Sequence, residues 1–588
     1  TIGSGFDGTV AKIATGFDGR GKVTSVQQKD SSDAVLDEVQ FAYDGWGNVL
    51  SFTQDPDSVI SGGSGRGSYS VSHTYAKATS GRNTVRRAST MIPGETIGYV
   101  YSSGIDGSSS RVSSMTRSET VGGTTTYVTI ASYKYIGVAQ LVGTDLNEPN
   151  IYDRMYGSST GDYPDLDRFD RVIKSKWVRG SSTPRNFYDL DIAYDENSNI
   201  THVEDNIHTS GTSGGGDGLY DVAYTMDGLD RLQRAEEGNW ASGVITSGKR
   251  ARDEWWRTTG GASGLSQPGN WLYRQLDLNG DGDFLDSGEE EQTTAGGFNT
   301  VNEQTSRSYK LGNTSRTLTP GHDAVGNLTS DDTTSSSVIG NTYTWDVFGR
   351  LRTVTAQKNA AAVAEYRYNG LGFRIGWHYD ADADSDIDSN DPWYYFAYDE
   401  DWRLVATLRG SDSASKESFI FNKAGLGGFG GSSYIDSVVM RTKDANTAWT
   451  SASDGTREEE RYYAQNWRGD VSLIVKDTGA PVEWVKYSSY GVPICIKAGD
   501  VNSDGNCTGT GAGTDYNTIA SWPHGTYDAR ADLDGDGDVD SSDLALFSAE
   551  NLGRGKLSRR DTANRVGYAG YQWELNACRY LASNRWFD

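Results

Sequence analysis

The sequence predicts an all-β protein, and three observations carry that prediction. Among 588 residues, Gly is abundant at 72, Pro scarce at 11 and aromatics reach 11%, a balance that suits short strands and tight turns better than packed helices. A motif of an aromatic residue, an Asp, a short Gly-bearing interval and an apolar run recurs along the chain. Within each copy the aromatic residues fall at alternate positions, the period of a strand face.

The clearest copies are FAYDGWGNVLSF from Phe41, TYTWDVFGRLRTV from Thr342, YRYNGLGFRI from Tyr366 and FAYDEDWRLVATL from Phe396. More degenerate ones begin at Leu166, Ala193, Ala223 and His322. In each, the residues before the Asp alternate, as in Phe41 and Tyr43 or Tyr343 and Trp345, and define one strand. The interval after it, such as Asp44 to Asn48, pairs an Asp that can bond downstream amides with a Gly that accepts positive φ. The apolar run is the return strand, so one unit is a hairpin. A lone hairpin is marginally stable, whereas hairpins paired side by side share a continuous sheet. Ser/Gly-rich stretches from Ser61 and Ser210 read as loops inserted between strands.

The net charge of −26 argues against a nucleic-acid partner, whose phosphates it would repel. No segment approaches 18 consecutive apolar residues, so no membrane span is expected, and TIGSGFDG lacks the basic start and apolar core of a signal peptide. Repeat-like sequence begins almost at Thr1, which suggests a piece of a longer protein. Cys495, Cys507 and Cys578 allow at most one disulfide.

Near the end, residues 461–493 read RYYAQNWRGDVSLIVKDTGAPVEWVKYSSYGVP, with Gly469 in a turn and Tyr487, Tyr490 and Gly491 in a Y-x-x-Y-G segment. Residues 568–588 read YAGYQWELNACRYLASNRWFD. These two segments, with the upstream repeats, resemble the Rhs/YD-repeat family and its repeat-associated core. The resemblance implies hairpins spiralling into a hollow, barrel-like shell that encloses a C-terminal toxin in some members and builds cell-surface adhesion proteins in others. The family's plugging, self-cleaving segment would follow the core, and its residues are not in this sequence. The expected organisation is a YD-repeat sheet over 1–495, a calcium insert over 496–560 and the end of the core over 561–588.

Four acidic stretches carry the sharpest chemistry. DLDGDGDVDSSD supplies Asp532, Asp534, Asp536, Asp538, Asp540 and Asp543 at loop positions 1, 3, 5, 7, 9 and 12, with Gly537 at position 6 and Val539 at position 8. Ca²⁺ needs six to eight oxygens wrapped around a tight turn, which is this pattern. A short helix is expected after it, with Leu544, Phe547 and Leu552 near one face and Gly553 as its stop. DVNSDGNC opens a second loop with Asp500, Asn502, Asp504 and Asn506, closed by Asp515 after a four-residue insertion. Two such loops, each followed by a short helix, resemble a dockerin type I pair, which implies docking onto a cohesin. Its position between the two halves of the core favours a calcium-stapled insert. DLNGDGDFLDSGEE offers Asp277, Asn279, Asp281 and Asp283, with Glu289 or Glu290 to close it; DADADSDIDSND offers Asp380, Asp382, Asp384, Asp386, Asp388 and Asp391, with Ser385 in place of the turn Gly. Extracellular modules of this kind bind Ca²⁺ with a dissociation constant of roughly 10⁻⁴ to 10⁻³ M, which points to a secreted or cell-surface protein.

Other motifs fail their context. GSSTG at 157–161 lacks the strand and helix of a nucleophile elbow, and GLGGFG at 425–430 precedes a strand rather than a helix. Arg468, Gly469 and Asp470 spell an adhesion tripeptide but occupy a turn, and the six histidines show no metal spacing. The expected function is non-enzymatic: an exported structural shell or filament segment, stabilised by calcium, that encloses its own C-terminal cargo, contacts cell surfaces or self-assembles through strand edges. A glycan-binding adhesin and a self-cleaving or hydrolytic enzyme are the alternatives, with no catalytic residue singled out.

Overall fold

A computed structural model describes residues 6–587 apart from 61–65, 79–80, 122–123, 138–139, 160, 181–183, 208–219, 258–262, 285, 287–288, 292–296, 335–339, 383–385, 433, 435, 503–505, 512, 523–526, 553–563, 575–578 and 583–584. Both Ser/Gly-rich stretches expected to be loops fall largely within the excluded residues.

The chain is almost entirely antiparallel β structure. A first ribbon runs from Lys12–Phe17 to Thr314–Leu318, and nearly every strand in it pairs with its sequence neighbour. Among the described ladders none joins its first strand to its last. A second ribbon runs from Gly321–His322 to Pro493–Lys497 in the same serial order. Phe6–Asp7 adds to it in parallel, with Phe6 beside Trp345. Gln572–Glu574, Arg579–Ala582 and Arg585–Phe587 form a small third sheet. The described helices are short.

The repeats fold as the expected hairpins, except that in the copy at Leu166 the first strand is reduced to one bridge, Leu166 with Val172. In Val35–Tyr43 and Val49–Asp55, Phe41 faces Phe52, and a bulge between Ala42 and Tyr43 leads into the turn. Asp44 Oδ1 accepts the amides of Trp46 and Asn48 at 2.8 and 2.9 Å, and Gly47 takes φ +86°. Asp227, Asp323, Asp346, Asp399 and Asn369 accept the amides two and four residues on in the same way. The Tyr before the Asp does something that period two does not reveal. Its hydroxyl donates to a carbonyl of the preceding hairpin: Tyr43 to Val23, Tyr194 to Val172 and Tyr398 to Arg374, at 2.8, 2.8 and 2.9 Å. Arg at the end of a turn adds a second tie, since Arg171 reaches Asp195 O at 3.1 Å and Arg350 reaches Asn369 O at 2.8 Å. Consecutive turns are thus stitched into a rail.

The two ribbons share one apolar core that includes Phe52, Trp177 and Phe187 from the first and Phe373, Trp377, Tyr462 and Trp484 from the second. Polar contacts cross the same boundary. The indole of Trp177 donates to Gln465 O and that of Trp484 to Phe187 O, both at 2.8 Å, and Arg117 pairs with Glu460 at 2.6 Å. Residues 564–574 pack against the second ribbon: Arg374 and Glu574, 1% and 2% exposed, pair at 2.7 Å, and Arg565 pairs with the buried Glu417. Cys495 and Cys507 are buried, and Cys578 lies outside the described residues.

Candidate metal centre

The Asp532 loop folds around its own carboxylates. Asp532 Oδ2 accepts the amide of Gly537 at 3.1 Å, while Asp534 and Asp536 each accept the amide two residues on. The closing Asp543 takes the amide of Leu533 on one oxygen at 2.6 Å and that of Asp540 on the other at 2.7 Å. Position 1 therefore grips position 6, and position 12 grips positions 2 and 9. Gly537 has φ +102° and Val539 is buried, as the pattern requires.

The other three loops close in the same way. Asp391 takes Ala381 N and Asp388 N at 2.7 and 3.0 Å. Asp515 takes Val501 N and Thr508 N at 2.9 and 2.8 Å, so the inserted residues lie between position 9 and the closing carboxylate. In the Asp277 loop the closing group is Glu289, not Glu290, with Leu278 N and Asp286 N each at 3.0 Å. That loop is one residue longer, and Gly282 N still bonds Asp277 Oδ2 at 2.9 Å. The first and closing carboxylates, Asp277 and Glu289, Asp500 and Asp515, and Asp532 and Asp543, are all buried, as is Asp391.

Carboxylate oxygens within 4.8 Å of one another come from Asp532, Asp534 and Asp536, from Asp380, Asp382 and Asp391, and from Asp386, Asp388 and Asp391. Among the described residues, Asp277, Asp281, Asp283 and Glu289 form no such group of three, nor does Asp538 join one. Asp540 instead caps the helix Ser541–Leu546, accepting Ser542 N at 2.6 Å in a capping box with Asp543. Asn502 and Asn506 sit in the second loop, and Asn279 and Asp283 in the third; Asp384, Asp504 and Ser385 lie outside the described residues. The expected helix is present and starts three residues earlier than Leu544: Ser541–Leu546 is α-helical and runs on into a π turn, Phe547–Asn551, with Phe547 buried and Leu552 exposed, while the expected stop at Gly553 lies outside the described residues. Phe547 lies in the core and Leu544 packs against it, so two of the three expected residues share the apolar face.

The residues at the Asp532 loop fit a divalent cation. Asp532 is fully buried, and its Oδ1 has no hydrogen-bond donor. Burial pushes its carboxyl up to about 7; Arg179 opposes this, and the neighbouring Asp543, Asp534 and Asp536 add to it. A cation among these oxygens would remove both the desolvation and the repulsion.

Sequence spacing did not reveal what holds this loop in place. Arg179, in the first ribbon, lies 3.7 Å from Asp532 Oδ2. Gly535, at φ +75°, rests against Ala480, where a Cβ would come within 3.0 Å of the Ala480 backbone. Lys476 pairs with Glu550 at 2.7 Å, and Arg185 lies over the Tyr527 ring at 4.7 Å. The insert is seated on both ribbons. Nothing in Arg179's own neighbourhood marks it, because its partner is more than 350 residues away.

No protein-family model and no curated protein matches the sequence. Solved structures do. A crystal structure of TcdB2-TccC3 aligns with a TM-score of 0.52 at 13% identity, over 97% of this chain and 25% of that one. The fold is shared with the TcdB2-TccC3 chain. A mutated Tc holotoxin pore from Photorhabdus luminescens gives a TM-score of 0.52 at 13% identity, over 98% of this chain and 24% of that one. The chain therefore spans about a quarter of the length of the solved chains it resembles. Among the described residues, no helix is long and apolar enough to cross a membrane.

Proposed function

We propose that this chain is a non-catalytic wall: a YD-repeat shell segment of an exported protein, stapled by calcium, that encloses cargo or presents a surface to other cells. The observation that carries the reading is the stitched rail of hairpin turns. The repeated Tyr and Arg are spent on hydrogen bonds between neighbouring hairpins and the repeated Asp on closing its own turn, so the motif is accounted for by building sheet. The fold shared with the TcdB2-TccC3 chains supports a toxin-encapsulating role, and the acidic loops support work where calcium is millimolar. Calcium would be held by Asp532, Asp534, Asp536 and Asp543, and in the fourth loop by Asp380, Asp382 and Asp391, supplying charge neutralisation and cross-linking. The seating of the 496–560 insert on both ribbons favours a staple over a free docking module.

The test is to express the whole gene product and digest it with a broad-specificity protease in calcium. Protection of a segment downstream of Asp588 until the wall is unfolded is expected of a shell; immediate digestion of every added segment would sink the enclosing role. A glycan-binding adhesin is the second reading. It is favoured by a cavity of about 170 Å³ where Trp177, Trp467 and Tyr434 meet Asn422, Gln465 and Asp153. Glycan-array binding abolished by Trp467→Ala would select it.

A further inference from the structure

The rail of hairpin turns is also an outer edge, and part of that edge is apolar. In each turn the second residue after the one that opens it stands at the tip. In the Ser266, Asn299, Asp323 and Asp346 turns the tips are Pro268, Val301, Val325 and Phe348, all exposed, with Val301 at 70%, Val325 at 72% and Phe348 at 45%. These four turns are neighbours in space. Asn302 Nδ2 donates to Asn270 Oδ1 at 3.2 Å, a Cβ at Gly326 would lie 3.3 Å from Glu303 Oε1, and one at Gly349 would lie 3.9 Å from Asn327 Oδ1. Each hairpin adds two strands, so successive tips stand about 10 Å apart in one line. Single exposed apolar residues are ordinary, but a contiguous run of them marks a contact surface.

Charge sharpens the reading. The chain carries −26, and other turns hold charged residues at these positions: Arg20 in the Asp18 turn, Glu196 in the Asp195 turn, Glu400 and Asp401 in the Asp399 turn. The three positions after Ser266, Asn299, Asp323 and Asp346 hold none. Where the chain itself covers a turn, it does so with apolar side chains: Gly370 of the Asn369 turn lies against Val26 and Ile13, and Leu371 packs on the core. We propose that the line from Pro268 to Phe348 is an interface between two copies of this chain, related by a two-fold axis between the Asn299 and Asp323 turns. A partner must match a repeat of about 10 Å, and a second copy supplies it, because an evenly spaced line is complementary to itself when reversed. Val301 then meets the partner's Val325, and Pro268 the partner's Phe348. Gly269, Gly326 and Gly349, each beside a tip, leave notches for the opposing side chains. Uncharged tips let two acidic chains meet without like charges at the contact. Four turns span roughly 40 Å, and with a width of about 12 Å the two copies bury about 1,000 Å², which suits a weak, concentration-dependent dimer.

The experiment is sedimentation velocity of the full chain in calcium, at rising protein concentration and at low and high sodium chloride. A monomer–dimer equilibrium in the micromolar range is expected, held or strengthened by salt, because the contact is apolar and salt screens the net charge. Val325→Asp should weaken it at least tenfold. Adding Val301→Lys to that variant should recover much of the loss at low salt, since the two-fold axis sets a Lys against an Asp at both places. Phe17→Asp, an exposed apolar residue outside these four turns, should change nothing. Thermal unfolding checks that the variants fold; if Val325→Asp does not, Phe348→Asp decides. A chain that stays monomeric overturns the proposal, including one that binds phosphatidylcholine vesicles instead. A dimer indifferent to both tip variants, or a loss that Val301→Lys does not recover, overturns it too. The enclosing role stands apart from all of these outcomes, because the protease digestion decides it.

Discussion

At the residue scale the repeat is a division of labour among three side chains. The Tyr hydroxyl ties a hairpin to the one before it, the Asp closes its own turn, and the terminal Arg reaches the next turn. Tyr43→Phe removes only the bond to Val23 O and leaves the ring packed, so a loss of about 0.5–1.5 kcal/mol is expected in a denaturant titration. The turn carboxylates give the wall a pH signature. Arg231 donates two N–H groups to Asp227 Oδ2, at 2.9 and 2.7 Å, and holds its carboxyl down to about 2, with help from the amides of Leu229 and Arg231. Asp44 reaches about 2 although burial opposes it, because Asn83, Asn48 and two amides donate to it. A depressed folded-state pKa contributes stability that is present above the unfolded value near 4 and lost as pH falls toward 2. Melting temperature should therefore drop between about pH 4 and 2, and Asp227→Asn should flatten part of that slope. A wild-type curve that stays level across this window would contradict the assignment.

At the element scale, the four acidic loops share one closing geometry although their sequences differ in length. Position 12 was legible for Asp543 and Asp391 because the spacing is regular. Asp515 was reached by allowing an insertion, and the Asp277 loop left Glu289 and Glu290 open until the amides of Leu278 and Asp286 chose between them. The hairpins were legible for a simpler reason: period two and turn chemistry are local, and locally determined structure is written in neighbouring residues. The seat of the insert was not, since Arg179, Ala480 and Lys476 meet it only after the chain has folded back. If calcium staples this element, chelation should lower the melting temperature of the wild-type chain by several degrees. Asp532→Asn should remove most of the calcium-dependent part while unfolding the β sheets no earlier than chelated wild type does. A chelated chain that melts like the calcium-loaded one would remove calcium from the account.

At the scale of the whole molecule, two serial ribbons become one body through contacts that no window of sequence contains. Trp484 meets Phe187 across nearly 300 residues, and Arg374 meets Glu574 across 200. Alternation shows that a strand has an inner face, but not what that face will touch. This is why the aromatics that share one strand face could be named from sequence while the docking of residues 564–574 on the second ribbon could not. That docking makes the end of the described chain a structural member of the wall. The Arg374 guanidinium is 1% exposed, lies over the Tyr366 and Phe396 rings at 5.4 and 5.0 Å, and has Glu574 as its carboxylate partner. Removing one member of a buried pair strands the other charge, at a cost of about 3–5 kcal/mol. Glu574→Ala should cost that much in reversible unfolding, and Glu574→Gln less, because the amide keeps the shape and one acceptor. If the C-terminal residues were an appendage instead, both variants would unfold with the wild-type midpoint, and protease would trim residues 564–588 without loosening the ribbons.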